Sequence, residues 1–117
     1  MRKKKKYSEV TVLFTDFKGF TKIATNTEPE ALVSEIDYCF RAFDEIITRY
    51  SLEKIKTIGD AYLCVGGIDD MQDSQARQVI MAALDIQLFM EKRKEERQAQ
   101  GAFYFEIRLG IHTGPIV

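Results

Sequence analysis

The order of apolar repeats along the chain restricts the fold more than any other feature of the sequence. Residues 9–15 alternate apolar and polar side chains, residues 52–57 and 60–65 form two further short β-rich runs, and residues 103–112 alternate most regularly. Apolar residues at three- and four-residue spacing fill two longer stretches, one after the first run and one before the last. The order β-α-β-β-α-β predicts an α+β fold of the ferredoxin-like type, with an antiparallel sheet and both helices on one face.

Local signals predict where the first two helices begin and end. A turn and a short helix are expected between residues 17 and 25. The segment Thr27-Glu28-Pro29-Glu30 matches a capping box, in which the threonine hydroxyl and the second glutamate satisfy early helix N–H groups. This box should start a long helix that ends near Tyr50.

The remaining ends follow from glycines and polar residues. Ile58 and Gly59 are expected to form a hairpin turn, where glycine can supply a positive φ. The last helix should start among residues 69–74 and end at Gly101. Because residues 9–15 carry apolar side chains on both sides, the first strand is predicted to be nearly buried on both faces.

The charge distribution separates a short basic start from an acidic body. The 117 residues carry a net charge of −1, yet residues 2–6 are all basic, so the remaining chain is acidic. An acidic body disfavours nucleic acid as a partner, because such binding needs a basic face. We interpret residues 1–8 as a basic linker or tail, with contact to anionic lipid as the alternative, and residues 9–117 as part of one domain.

Nothing in the sequence predicts a secretory signal or a membrane span. The basic start is followed by polar residues, and no apolar run approaches the thickness of a bilayer. Cys39 and Cys64 lack metal-ligand spacing and are interpreted as reduced, small hydrophobes. We therefore expect a cytoplasmic location, with the cytoplasmic part of a membrane-anchored longer protein as a variant of it.

Two aspartates, Asp16 and Asp60, stand at the ends of β-rich runs. Aspartate is a poor strand former, so each suggests a site, although a turn or cap role is the alternative for either one alone. In the expected topology the two carboxylates can lie side by side, where Mg²⁺ or Mn²⁺ would relieve their repulsion. Backbone N–H groups of residues 17–21 could receive phosphate oxygens. Together these parts suit a two-metal transfer at phosphorus.

Three segments resemble successive motifs of the class III nucleotidyl cyclase catalytic domain. They are Leu13-Phe14-Thr15-Asp16-Phe17-Lys18-Gly19-Phe20-Thr21, Lys54-Ile55-Lys56-Thr57-Ile58-Gly59-Asp60-Ala61-Tyr62 and Leu109-Gly110-Ile111-His112-Thr113-Gly114-Pro115. Their order and separation match as well, from about Glu9 to the end of the chain. The sequence is therefore interpreted as the N-terminal portion of such a domain, truncated at Val117.

The resemblance implies an activity and a set of site residues. Members of the family convert a nucleoside triphosphate to its 3′,5′-cyclic monophosphate and pyrophosphate, with two divalent ions, Mg²⁺ or Mn²⁺. Asp16 and Asp60 match the catalytic, metal-binding aspartates, and Phe17 matches the residue that lends a backbone carbonyl to the metal. The nucleotide's phosphates would be bound by the segment made of Phe17, Lys18, Gly19, Phe20 and Thr21.

Lys56 matches the position that reads the base of the nucleotide. Adenylyl members resemble this chain in carrying lysine there, whereas guanylyl members typically carry glutamate. An ammonium group donates to adenine N1, and a carboxylate accepts from guanine N1–H and N2–H. The expected substrate is therefore ATP, with a guanylyl cyclase as the alternative function and a solvated strand lysine as the alternative account of Lys56.

The family resemblance also implies a head-to-tail homodimer, in which Lys56 of one subunit serves the metal site of the other. Truncation would expose apolar surface, so a non-native or strand-swapped dimer is a further expectation. The family's second base-reading residue and its transition-state residues would lie after Val117. We therefore expect the chain alone to be nearly inert. We also expect an upstream sensor domain in the longer protein.

Other interpretations remain open at this stage. A non-catalytic, cyclase-like dimerisation or regulatory module is one, although it has no chemical need for both Asp16 and Asp60. An RNA-binding domain would use the aromatic residues 103–105 as a stacking surface, which the acidic body disfavours. The single histidine, His112, could act as a base, but a polar residue alternating with core positions is the simpler account.

Overall fold

Four strands and three helices form in the computed structural model, which describes residues 9–67 and 75–115. The elements are β1 (Val10–Phe17), α1 (Phe20–Thr25), α2 (Pro29–Arg49), β2 (Glu53–Ile58), β3 (Ala61–Gly66), α3 (Ala76–Ala99) and β4 (Ile107–Gly114). The described strands build one antiparallel sheet in the order β2-β3-β1-β4. This is the order of the ferredoxin-like βαββαβ arrangement, with α1 as an addition, and it confirms the predicted α+β fold class.

One face of the sheet is covered by α2 and α3 and carries the core. Leu13 and Phe17 of β1 point to this face, as do Tyr62 and Cys64 of β3, and all four are at most 2% exposed. The helices contribute Cys39, Phe40, Phe43, Ile46, Ile47, Val79, Ala82, Ala83, Ile86 and Met90. Their helical spacing is the one that the apolar pattern predicted, so the core lies between this face and the two long helices.

The opposite face of the sheet is open in the described chain. Phe14 on β1 is 48% exposed and Ile58 on β2 is 61% exposed. Both long helices pack on the other side, so alternate residues of β1, including Asp16, reach the open face. The prediction that the first strand is nearly buried on both faces is therefore wrong.

The hairpin turn between β2 and β3 lies one residue later than predicted. Ile58 pairs with Ala61, so the turn residues are Gly59 and Asp60. Gly59 has a φ of 56°, a left-handed conformation that glycine adopts at little cost. The side chain of Asp60 thus projects from a two-residue turn whose backbone is fixed by the strands on either side.

Strand β4 begins at Ile107, whereas a strand from residue 103 was predicted. Ile107 pairs with Phe17, the last residue of β1, so the residues before it lie beyond the end of the neighbouring strand. The backbone there is bound instead by the end of α3, where the Arg97 guanidinium donates to the Phe103 carbonyl at 2.9 Å. The Phe105 ring still belongs to the core and stacks on Phe17 with centroids 4.2 Å apart.

Helix α2 begins at Pro29 without the predicted capping box. Glu28 is the N-cap residue, with φ −57° and ψ 134°, and no side chain caps the helix. A residue before proline is disfavoured in the helical region, so Glu28 is extended and the helix starts after it. Thr27 is then one residue too early to act as the cap. The predicted end near Tyr50 is confirmed, because Tyr50 is the C-cap residue.

Helix α3 ends at Ala99, and Gly101 follows with a φ of 69°, as predicted. The predicted helix start among residues 69–74 and the basic residues 1–8 lie outside the described parts of the chain. None of the three described helices combines the length and the apolar character needed to cross a bilayer.

Candidate functional site

Asp16 and Asp60 meet at the end of β1. Thr15 pairs with Tyr62, so the turn that precedes Tyr62 lies beside the last residues of β1. The Asp60 Oδ2 atom accepts a hydrogen bond from the backbone N–H of Phe17 at 3.0 Å. Asp16 is the preceding residue, so the fold brings together two carboxylates that are far apart in the sequence.

Arg108 binds both carboxylate oxygens of Asp16. Its Nε atom lies 2.9 Å from Oδ1 and its Nη2 atom 2.9 Å from Oδ2, which is a bidentate pair. The two residues face each other directly across the β1–β4 pairing. Sequence reasoning missed Arg108, although its alternation with Ile107 and Leu109 placed it on the polar side of the last predicted strand.

The pair shifts the proton affinity of both groups. The hydrogen bond from Arg108 is the main cause that lowers the pKa of Asp16 below its ordinary value, and partial burial opposes it. The pKa of Arg108 is raised, chiefly by Asp16 and in smaller part by the charge of Asp60. Asp16 is therefore ionised at neutral pH, and the charge of Asp60 also acts on this guanidinium.

The two carboxylates fit a hard divalent cation that is also coordinated by a bound phosphate group or by water. Within residues 9–67 and 75–115, no group of three or more His, Cys, Asp and Glu side chains is placed to hold a metal ion. Asp16 and Asp60 supply two carboxylates at one place. Magnesium is usually bound by one or two carboxylates, with phosphate oxygens and water completing its coordination. The residues present fit an ion of this kind, and they do not form a closed all-protein cage.

The predicted phosphate-binding segment, residues 17–21, is partly occupied by contacts within the chain. The amide of Phe17 donates to Asp60, and the amide of Lys18 donates to the carbonyl of Glu106 at 2.7 Å. These two amides hold the end of β1 against the β2–β3 turn and the start of β4. They are therefore not available to a phosphate in this conformation.

The later part of that segment turns the chain into α1. Gly19 has a φ of 58° and is the N-cap residue of α1. Among the described hydrogen bonds, the amides of Gly19, Phe20 and Thr21 donate none. First-turn amides have no partner inside a helix, so these three are the ones that could bind an anion.

Lys56 lies on the open face of the sheet, the face that carries Asp16. It pairs with Leu63, which pairs with Phe14. An irregularity between Lys54 and Lys56 sends these two lysines to opposite faces, because a bulge shifts the alternation by one residue. The Lys54 ammonium reaches the helix side, 3.1 Å from Asp44. Within the described part of this single chain, Lys56 contacts neither Asp16 nor Asp60.

The structure also bears on two alternatives from the sequence. Phe105 is 2% exposed and Phe103 packs edge-on against it, so these rings belong to the core rather than to an exposed stacking surface. His112 is exposed on β4 and faces Val12 across the β1–β4 pairing. It lies four residues along the strand from Arg108, away from the aspartates.

Comparison with known sequences identifies a family and two kinds of relative. Residues 2–117 match the family described as the Adenylate and Guanylate cyclase catalytic domain. An adenylate cyclase of Mycobacterium tuberculosis is 37% identical over 112 residues, and the mouse guanylate cyclase soluble subunit alpha-1 is 34% identical over 112 residues. Each match covers 96% of this chain, but it covers only 24% and 16% of those proteins. The chain thus spans about a quarter or less of their length.

Solved structures give the same result. The guanylate cyclase domain of RhGC from Catenaria anguillulae, in complex with GTP, matches with a TM-score of 0.84 and 31% identity over 97% of this chain and 60% of that one. The adenylyl cyclase CyaB from P. aeruginosa matches with a TM-score of 0.84 and 27% identity over 92% of this chain and 57% of that one. The resemblance seen in the three sequence motifs is confirmed, and both substrate types are represented at similar identity.

Proposed function

The chain belongs to the family of adenylate and guanylate cyclase catalytic domains, and we propose that it is part of an adenylyl cyclase, which converts ATP to 3′,5′-cyclic AMP and pyrophosphate. The observation that carries this proposal is the meeting of Asp16 and Asp60: the amide of Phe17, the residue after Asp16, donates to the Asp60 carboxylate at 3.0 Å. A module used only for dimerisation has no need to bring two carboxylates together. Residues 1–8 would be a linker, and residues 9–117 the first part of the catalytic domain.

Asp16 and Asp60 would hold two divalent ions, Mg²⁺ or Mn²⁺, together with the backbone carbonyl of Phe17. When bound, such ions lower the pKa of the ribose 3′-hydroxyl and neutralise the triphosphate. The chain itself keeps the carboxylates in place, because β1 carries Asp16 and the Phe17 amide orients Asp60. Carboxylates fixed in this way would let the bound ions hold the α-phosphorus in line with that hydroxyl.

The phosphates would be bound where β1 turns into α1. Within residues 9–67 and 75–115, the amides of Gly19, Phe20 and Thr21 donate no hydrogen bond, and they are therefore the groups that would receive phosphate oxygens. The amides of Phe17 and Lys18 would join them only after leaving their present acceptors. The triphosphate would thus lie next to the two carboxylates.

Base reading is assigned to Lys56 and requires a second subunit. Lys56 shares the open face with Asp16 but contacts neither aspartate of its own chain, which supports a homodimer with Lys56 of one copy at the metal site of the other. The exposed side chains of Phe14 and Ile58 would be covered at such an interface. We place the enzyme in the cytoplasm, regulated by a sensor domain elsewhere in a longer protein.

The experiment that tests this function measures Mn²⁺-dependent binding of ATP and GTP to the chain. Wild type should prefer ATP, and Lys56→Glu should shift the preference toward GTP by about tenfold, since one charged hydrogen bond is exchanged for another. Lys54→Met is the matched control, because Lys54 is on the same strand but on the opposite face. A wild-type preference for GTP would show that the adenylyl assignment is wrong.

Two further outcomes decide between the enzyme and its alternative. Asp16→Asn should abolish Mn²⁺-dependent nucleotide binding, whereas nucleotide binding that ignores both Mn²⁺ and Asp16 would favour the non-catalytic module. Turnover by these 117 residues should be low, because they cover only 60% of the matched RhGC cyclase domain. Full turnover by the chain alone would contradict that expectation.

A further inference from the structure

Arg108 already satisfies the carboxylate that the proposed function assigns to a metal ion. Its Nε and Nη2 atoms each lie 2.9 Å from a different oxygen of Asp16. A divalent ion would need one or both of those oxygens as direct ligands. A divalent ion and the guanidinium bound to the same carboxylate would repel each other, and Arg108 has no phosphate between it and the metal to offset this repulsion, so each weakens the other's hold on Asp16. The guanidinium and the metal ion therefore compete for the Asp16 carboxylate.

We propose that Arg108 is an internal counter-ion that competes with the divalent metal for Asp16, so that metal binding displaces its guanidinium. This inference rests on the proposed function, which makes Asp16 a metal ligand. It predicts that the metal-free chain keeps Asp16 neutralised and binds metal more weakly than it would without Arg108. Arg108 acts here on the metal site through Asp16, and no contact between Arg108 and the substrate is assumed.

The surroundings of the pair allow this exchange. The Arg108 side chain is 65% exposed and that of Asp16 is 33% exposed, so water can replace either partner. Arg108 lies on β4, an edge strand of the described sheet, so its side chain can swing away without opening the core. It faces Asp16 directly across the β1–β4 pairing, so the backbone returns it to Asp16 when the metal leaves.

Asp60 makes the exchange favourable for a doubly charged ion. Its Oδ2 atom accepts the Phe17 amide, and its charge also acts on Arg108. Arg108 supplies one positive charge to two carboxylates, whereas a divalent ion supplies two. The metal therefore gains from both aspartates, while the guanidinium hydrogen-bonds to only one of them.

The test measures the dissociation constant of Mn²⁺ from the 117-residue chain in the absence of nucleotide. Electron paramagnetic resonance detects the free Mn²⁺. Arg108→Gln should tighten the dissociation constant by about tenfold, because one nearby unit charge and the competing contact are both removed. Arg108→Lys should tighten it by about threefold, because the charge stays but a single ammonium cannot form the bidentate contact. Lys94→Gln is the matched control, since it breaks another exposed ion pair beside β4 and should leave Mn²⁺ affinity unchanged.

A second readout follows the contact itself. In nitrogen-15 NMR spectra, the Arg108 Nε–H signal should move when Mg²⁺ is added to wild type and should not respond to Mg²⁺ in Asp16→Asn. Circular dichroism checks that each variant is folded. A signal that stays in place while Mg²⁺ is bound would show that the guanidinium is not displaced.

The outcomes separate this inference from the function on which it rests. If Asp16→Asn abolishes Mn²⁺ binding but Arg108→Gln binds no more tightly than wild type, the competition is absent and only the inference falls. An Arg108→Lys variant with the Mn²⁺ affinity of wild type would also overturn the inference alone. It would show that the bidentate contact to Asp16 does not weaken metal binding beyond the effect of the positive charge. If neither wild type nor Arg108→Gln binds Mn²⁺ in a manner that depends on Asp16, the proposed metal site itself is wrong.

Discussion

Two arginine–carboxylate pairs in this chain share one geometry and differ in their surroundings. Arg93 binds both oxygens of Glu35 at 2.8 and 2.7 Å, and Arg108 binds both oxygens of Asp16 at 2.9 Å. The first pair joins α3 to α2, and Glu35 is only 3% exposed. The second pair lies on the open face of the sheet. The same bidentate bond can therefore be structural in one region and exchangeable in another.

Burial decides which of the two pairs is permanent. Around the Glu35 pair, Arg93 lies 3.7 Å from the centre of the Tyr38 ring, and Arg97 approaches the same carboxylate at 3.7 Å. If these buried charges separated, each would lose its partner while still shielded from water, which is costly. Removing one of them by mutation leaves the other uncompensated. Around Asp16, water or another cation can take the place of the arginine.

The largest expected effect comes from breaking the buried pair. Glu35→Ala should lower the free energy of unfolding by about 3–5 kcal/mol, because Arg93 would then lose the buried carboxylate that binds it at two atoms. The one carboxylate contact that it would keep among the described residues is to the exposed Glu96 at 3.3 Å. Urea unfolding followed by circular dichroism measures the change. The matched control is Asp37→Ala on the same helix, which breaks only the exposed pair with Arg41 at 3.0 Å and should have little effect. Equal effects of the two substitutions would contradict the comparison.

The next largest effect is expected from alkaline pH, which should lower the stability of the core between the sheet and the two long helices. Burial is the main cause that raises the pKa of both Cys39 and Cys64 from 9.0 to about 12. The thiols of the unfolded chain lose their protons above about pH 9 while the folded thiols keep theirs, so this contribution to stability falls as pH rises toward 12. The expected slope is about 1.4 kcal/mol per pH unit for each thiol.

Urea unfolding at a series of alkaline pH values measures this slope. The Tyr62 hydroxyl adds to it in the same direction, because burial and the hydrogen bond to Asp44 raise its pKa. The double variant Cys39→Ala, Cys64→Ala should show a shallower slope than wild type. A stability that stays constant from about pH 9 to about pH 11 would be inconsistent with two buried, protonated thiols.

Helical spacing and strand order could be predicted from the sequence because they depend on local patterns. The stripe that includes Val79, Ala83 and Ile86 identifies the buried side of α3 with no knowledge of its partners. The meeting of Asp16 and Asp60 also follows from topology, because a βαββαβ order puts the β2–β3 turn beside the end of β1. These predictions needed no side-chain geometry.

Features set by distant partners could not be predicted in this way. β1 carries Leu13 and Phe14 next to each other, and both are apolar. Their side chains alone do not tell that Leu13 faces the two long helices and that Phe14 is exposed on the other side. Phe103 continues the strand alternation, but β1 has already ended, so Arg97 binds the Phe103 carbonyl instead. The partner of Arg108 depends on a register between residues 92 positions apart. No local pattern reports such a pairing.

The smallest expected effect on stability belongs to the pair on the open face. Arg108→Gln should leave the urea midpoint almost unchanged, because both partners are accessible to water and can be solvated separately. Any small difference from wild type should vanish at about 1 M NaCl, where the Debye length is about 3 Å. The effect of Glu35→Ala should persist at the same salt, because that carboxylate is buried and salt ions do not reach it. If Arg108→Gln destabilises the chain as much as Glu35→Ala, then Arg108 is a structural residue and its bond to Asp16 cannot yield to a metal ion.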